Sequence, residues 1–223
     1  MSDLLITMDL DGTLEDSRTD MVASVQRLRN RLGLPQRPDS DFRANVNRGM
    51  PHLYRVCFSE YLGEDPSQDA LDELRGAYAY DYGAHICVET ELYDGIAEAL
   101  PRLADLAPLA LVTNKPEALS ELLLKALGVR EHFSAIIGGD TCHSGKPDPV
   151  TLETAAERCG YTGETRRIYH VGDSAGDVRC AKAFGATAVW CSWGYLDAAP
   201  DAPAPDLQVA LPGELVTLIR GQS

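Results

Sequence analysis

Basic side chains are in short supply. The 223 residues carry 20 Lys and Arg against 34 Asp and Glu, a formal net charge of −14 at pH 7. Phosphate backbones and anionic lipid are gripped through Lys and Arg, so neither nucleic acid nor a membrane is expected as a partner. A small phosphorylated substrate is still allowed, because a bound metal ion reverses the local sign of the potential. Long apolar runs are missing as well. None approaches the ~20 residues that cross a bilayer. Leu4–Met8 is too short for the core of a signal peptide and runs straight into Asp9 and Asp11, so no leader is expected. Cys57, Cys87, Cys142, Cys159, Cys180 and Cys191 include no C-x-x-C pair and no His at zinc-ligand spacing. With 44% hydrophobic residues the chain can build a core without disulfides, and reduced thiols in a cytoplasmic enzyme are expected.

What is present alternates. Apolar runs at Leu4–Met8, Leu109–Thr113, Ala135–Gly138, Ile168–Val171 and Thr187–Ser192 are mostly consecutive rather than alternating, as in strands buried on both faces of a parallel sheet. Between them Leu119, Leu122, Leu123, Ala126 and Leu127 recur at helical spacing, with Gly128 as a stop. Ile96, Leu100, Leu103 and Leu106 do the same, with Pro101 expected to kink that helix or sit in its first turn. Such alternation predicts a doubly wound, Rossmann-like α/β sheet. One stretch breaks it. From about Arg18 to His85 only helical faces occur: Met21, Val25, Leu28 and Leu32; then Leu53, Val56, Cys57, Tyr61 and Leu62; then Leu71, Leu74, Tyr78 and Tyr82. A crossover needs only about a dozen residues, so this length predicts a small all-helical domain at 16–87, inserted into a core made of 1–15 and 88–223. Asp197–Asp206 reads as a surface loop.

Four segments carry chemistry. Asp9-Leu10-Asp11-Gly12-Thr13-Leu14 follows the first strand directly, at the sheet edge where open α/β folds bind ligands. Gly12 and Thr13 are expected to leave backbone N–H groups for an anion, although Asp-Gly is also common in plain turns. Val171-Gly172-Asp173-Ser174-Ala175-Gly176-Asp177 again joins a strand to a helix. Capping accounts for one of Asp173, Ser174 and Asp177, but not for a second acidic pair at a second strand end. Clustered carboxylates repel unless a cation joins them, and hard oxygen ligands suit Mg²⁺. Thr113-Asn114-Lys115 brings a hydroxyl and an amide to the same edge, or simply caps the next helix. Lys146-Pro147-Asp148-Pro149 holds a lysine on a rigid turn, or leaves it solvated. Together these are an inventory for phosphoryl transfer.

The segments MDLDGTLEDS, LVTNKPEAL, IIGGDTCHSGKPDP and HVGDSAGDVRCAKAFGA, in this order and spacing, resemble the haloacid dehalogenase superfamily and, within it, the phosphoglycolate phosphatase group. The resemblance implies a helical cap at the insertion and hydrolysis of a small-molecule phosphate ester by a monomer or homodimer. It implies Asp9 as nucleophile, forming an aspartyl-phosphate, and Asp11 as general acid and then base. It implies Mg²⁺ held by Asp9, the Asp11 carbonyl and Asp173, with Asp177 ordering the outer shell. Thr113, Asn114 and Lys146 would hold the phosphoryl oxygens. Dehalogenases of the family lack the second Asp, so dehalogenation is not expected. A mutase of β-phosphoglucomutase type would share these core motifs, and a binding protein on an inactive scaffold is a third alternative. Arg48, in a cap segment Asn47-Arg48-Gly49, is a candidate for a substrate carboxylate. Glu15 replaces a residue that is often apolar in relatives. It is expected either to disfavour anionic leaving groups or to point into solvent.

Overall fold

The computed structural model describes residues 3–46, 49–196 and 198–221. Two compact units result, one made of 1–16 and 92–223, the other of 17–91. The larger unit is built on β1 (Leu5–Met8), β4 (Leu109–Val112), β5 (Ala135–Ile137), β6 (Ile168–Gly172), β7 (Thr187–Cys191) and β8 (Leu207–Val209). Two short strands, β2 (Glu15–Asp16) and β3 (Glu91–Leu92), form a separate ladder. The main sheet has the order β5-β4-β1-β6-β7-β8, and its strand pairs are parallel. Every residue of β1, β4 and β6 is buried, which is why their sequences run apolar without alternation.

One face of the sheet packs Leu5, Ala110, Val112, Ile137 and Ile168 against Leu152, Ala155, Val178 and Ala181. Those last four belong to the helices Val150–Arg158 and Ala175–Phe184. The helices Ile96–Ala104 and Pro212–Arg220 pack against each other. Pro101 lies inside the first of these. The sixth strand, β8, was not expected. It is three residues long, directly after a Pro- and Asp-rich loop, and has no apolar run to announce it. Among the described residues no helix is long and apolar enough to cross a membrane.

Apart from Glu91 of β3, the regular structure described in the smaller unit is helical: Arg18–Arg31, Ser40–Arg43, Met50–Cys57, Ser59–Leu62 and Gln68–Ala84. Its first and last helices are pinned by Asp81, whose buried carboxylate takes Arg27 at 2.8 Å and Arg31 at 2.7 Å. Residues 88–90 belong here rather than to the sheet-bearing unit, for a clear reason. The buried carboxylate of Asp20 accepts the N–H groups of Val88, Glu89 and Thr90 at 2.9–3.1 Å and the Thr90 hydroxyl at 2.7 Å. Asp20→Ala strands those donors at once and is expected to cost about 3 kcal/mol, read as a lower midpoint of denaturant unfolding. A change within experimental error would show that the clasp contributes nothing.

Candidate active site

The C-terminal ends of β4, β1 and β6 lie side by side in the sheet. Thr113, Asp9 and Asp173 follow those ends directly, and Lys146 comes from the loop after β5. A carboxylate oxygen from each of Asp9, Asp173 and Asp177 lies within 4.8 Å of the other two, and all three residues are buried. Lys146 Nζ stands between two of them, 2.7 Å from Asp9 Oδ1 and 2.6 Å from Asp177 Oδ1. Segments far apart in the chain therefore meet around one charge cluster.

Capping and chemistry turn out to share residues. Ser174 caps the helix Ala175–Phe184, accepting the Asp177 N–H at 3.3 Å while Asp177 Oδ2 takes the Ser174 N–H at 3.0 Å. Asp177 therefore caps with one oxygen and holds Lys146 with the other. Asp173 is fixed through Oδ2 by the Tyr195 N–H at 2.7 Å, and its carbonyl accepts the Trp190 indole N–H at 3.1 Å. Asp9 Oδ1 accepts the Leu10 N–H at 2.7 Å. Asp9 and Asp173 each retain a second oxygen, and such hard donors fit a hard divalent cation.

The glycine of the first motif serves Asp173. Gly12 has φ +85°, and a Cβ there would lie 2.3 Å from Asp173 Oδ2. The anion-binding turn expected at Gly12 and Thr13 does not form, because both N–H groups are used internally. Gly12 N–H donates to Glu15 O at 2.9 Å and Thr13 N–H to Leu10 O at 3.1 Å. The buried Thr13 hydroxyl faces Cys191 Sγ at 3.7 Å. Asn114 uses its side-chain amide as a strut, donating to the Lys146 carbonyl at 3.1 Å. Its side-chain amide nitrogen is thereby already engaged. Thr113 Oγ1 accepts the Lys115 N–H at 3.2 Å and keeps its own O–H. Arg48 lies outside the described residues.

Two participants were missed in the sequence. Lys115, read only as part of a capping triplet, is almost fully buried with Nζ 2.5 Å from Asp11 Oδ1 and 3.8 Å from Glu15 Oε1. His170 is buried in β6 and contacts Asp177 at 3.3 Å. A polar ring within an apolar strand was the signal available for it. One of the two expectations for Glu15 needs correcting. It is fully buried, not solvated; neither carboxyl oxygen has a hydrogen-bond partner among the described residues, and Lys115 Nζ lies 3.8 Å from Oε1.

Charges in the cluster are far from their ordinary states. Burial, and beyond it the neighbouring Asp177 and Asp173, push Asp9 up to about 8 against the pull of Lys146. Burial and then Asp177 push Asp173 to about 7. Burial opposes ionisation of Asp177 too, but Lys146 and the His170 hydrogen bond outweigh it and hold that carboxyl well below its usual range. Burial raises Glu15, with Asp11 adding to it and Lys115 opposing.

A parallel sheet with three buried acids at its carboxyl edge, carried by a chain that a helical unit interrupts, defines an α/β protein with a candidate acidic site at the usual ligand-binding edge. The chain belongs to the haloacid dehalogenase-like hydrolase family, whose model matches residues 6–191. A phosphoglycolate phosphatase of Chromobacterium violaceum is 32% identical over 216 residues, covering 96% of both chains. One from Neisseria meningitidis is 36% identical over 206 residues, covering 90% of this chain and 87% of its own. The crystal structure of a predicted phosphoglycolate phosphatase from Haemophilus somnus superposes with a TM-score of 0.83 at 27% identity, covering 98% of this chain and 99% of that one.

The raised carboxyls give a signed prediction. Asp9 and Asp173 bind protons more tightly folded than unfolded. The stability they lend is therefore full below about pH 4 and is lost as pH rises through about 7 and 8. A divalent cation bound by these carboxylates would take over from those protons. Excess Mg²⁺ is expected to raise Tm more at about pH 8 than at about pH 6. At the lower pH binding should release protons, seen by calorimetry in buffers of different ionisation enthalpy. Equal shifts at both pH values would count against the cluster as a cation site.

Proposed function

We propose that the protein is a cytoplasmic, Mg²⁺-dependent phosphatase acting on a small phosphate monoester of the phosphoglycolate type. The observation that carries this reading is the buried triad of Asp9, Asp173 and Asp177 with Lys146 inserted between Asp9 and Asp177. The names of the relatives, which cover nearly the whole chain, support the substrate class.

A carboxyl must be ionised to attack phosphorus. Lys146 at 2.7 Å favours the anionic form of Asp9, and Mg²⁺ held by Asp9, the Asp11 carbonyl and Asp173 would supply the remaining countercharge. An Asp9 oxygen then bonds to phosphorus as the ester oxygen departs, giving an aspartyl-phosphate. Asp11, paired with Lys115 outside the triad, would first leave that contact and take up a proton from solvent, and then give this proton to the departing alkoxide. It then takes a proton from water as the water oxygen attacks phosphorus, which frees phosphate and restores Asp9. The Thr113 hydroxyl, the Asn114 N–H and the Lys146 ammonium hold the phosphoryl oxygens through both halves. Positioning and neutralisation supply most of the rate. Asp177 orders the outer shell through Lys146.

The test is phosphate release over phosphoglycolate, pyrophosphate, sugar phosphates and nucleotides, with Mg²⁺ and with chelator. Turnover of at least one ester is expected, lost on chelation. Asp9→Asn is expected to lower kcat by about a thousandfold or more while leaving the fold intact by circular dichroism. Activity indifferent to both would overturn the proposal. Glu15→Val is expected to leave the ratio of kcat/KM for phosphoglycolate and a neutral ester unchanged, because burial and the adjacent Asp11 favour the uncharged form of this carboxyl. A marked shift toward phosphoglycolate would instead restore a repulsive role.

A further inference from the structure

His170 has no part in the chemistry above, yet it is tied to it. The ring is buried in β6, opposite Thr7 of β1 in the parallel register. Nδ1 lies 2.9 Å from Thr7 Oγ1 and Nε2 lies 3.3 Å from Asp177 Oδ1. An ionised carboxylate can only accept, so Nε2 carries the hydrogen. Burial holds the ring below its ordinary pKa and favours the neutral form. Nδ1 then accepts from the Thr7 hydroxyl at 2.9 Å, the Tyr169 carbonyl at 3.5 Å being the longer alternative for that O–H. Both ring nitrogens are engaged, and the ring has one orientation.

That orientation passes upward to the site. Asp177 Oδ1, which receives His170, also receives Lys146 Nζ, and the same ammonium reaches Asp9 Oδ1 at 2.7 Å. Gly172, two residues beyond His170 in β6, leaves the room this needs. A Cβ at Gly172 would lie 2.2 Å from Asp177 Cγ, so the carboxylate packs against the end of β6, within reach of the imidazole. Ser174 grips only the far oxygen, Oδ2. The near oxygen, Oδ1, is shared by His170 and Lys146.

We propose that His170 is a positioning residue: its Nε2–H fixes the Asp177 carboxylate that aims Lys146 at Asp9. The inference rests on the reading of Asp9 as the nucleophile. Without the imidazole, Asp177 keeps its cap but can rotate its near oxygen, and the ammonium follows it away from Asp9. The loss falls on the chemical step, not on encounter with substrate. Outer-shell partners of this kind are worth about tenfold or more.

Three variants separate this role from simple core filling. His170→Leu fills the space and donates nothing. His170→Gln carries an amide N–H at about the reach of Nε2, whereas His170→Asn reaches only as far as Nδ1. We expect kcat to fall about tenfold in His170→Leu and His170→Asn with KM little changed, and to recover in large part in His170→Gln. A readout independent of turnover is the ¹⁵N spectrum of the His170 ring in the metal-free protein at neutral pH, which should show the Nε2–H tautomer. A kcat preserved in folded His170→Leu, a His170→Gln no better than His170→Asn, or an Nδ1–H ring would each overturn the inference. If His170→Leu fails to fold, the Gln and Asn pair decides. If those also fail, the ring spectrum decides. An active Asp9→Asn would instead sink the nucleophile assignment. An inactive Asp9→Asn beside an unaffected His170→Leu removes the positioning role alone.

Discussion

A single ammonium group, Lys146 Nζ, sits within 2.7 Å of two buried carboxylates, and much of the larger unit is arranged to keep it there. Removing such charges from water costs several kcal/mol per ion, so the pair of contacts is poor evidence for stability. What the arrangement achieves is placement. It brings an acid from the end of β1, another from the first turn of a helix after β6, and a cation from the loop after β5 to one point. The parallel sheet makes this possible because all its strands end on the same edge.

The same cluster explains why small residues recur around it. Asp173 occupies the space where a side chain at position 12 would sit, and Asp177 does the same for position 172. Carboxylates packed this closely against backbone need neighbours without a Cβ. The motifs around Asp9 and Asp173 are therefore one packing solution read from two ends of the chain.

Much of this was legible in order along the chain. Consecutive apolar runs announced five of the six main strands, because strands covered on both faces leave a dense one-dimensional signal. The acids were legible because they stand at strand ends, where turn propensity alone does not call for so many. Other features were not, for physical reasons. β8 is too short to show a pattern. Whether Gly12 and Thr13 offer N–H groups depends on where those bonds close, and they close locally on Glu15 and Leu10. Lys115 and Glu15 reveal their ion pairing only when the loops after β4 and β1 are brought together, since nothing in either segment names the other. The choice between capping and chemistry at Asp177 was a false one. A carboxylate has two oxygens, and this residue uses both.

The clasp at Asp20 has a wider consequence. By binding the backbone at 88–90 it brings the two ends of the helical unit together inside that unit. The polypeptide therefore enters and leaves the helical unit at neighbouring points. The stretch between them is tied back to the first helix, where the buried Arg29 donates to the Pro35 carbonyl at 2.8 Å and to the Cys57 carbonyl at 2.5 Å.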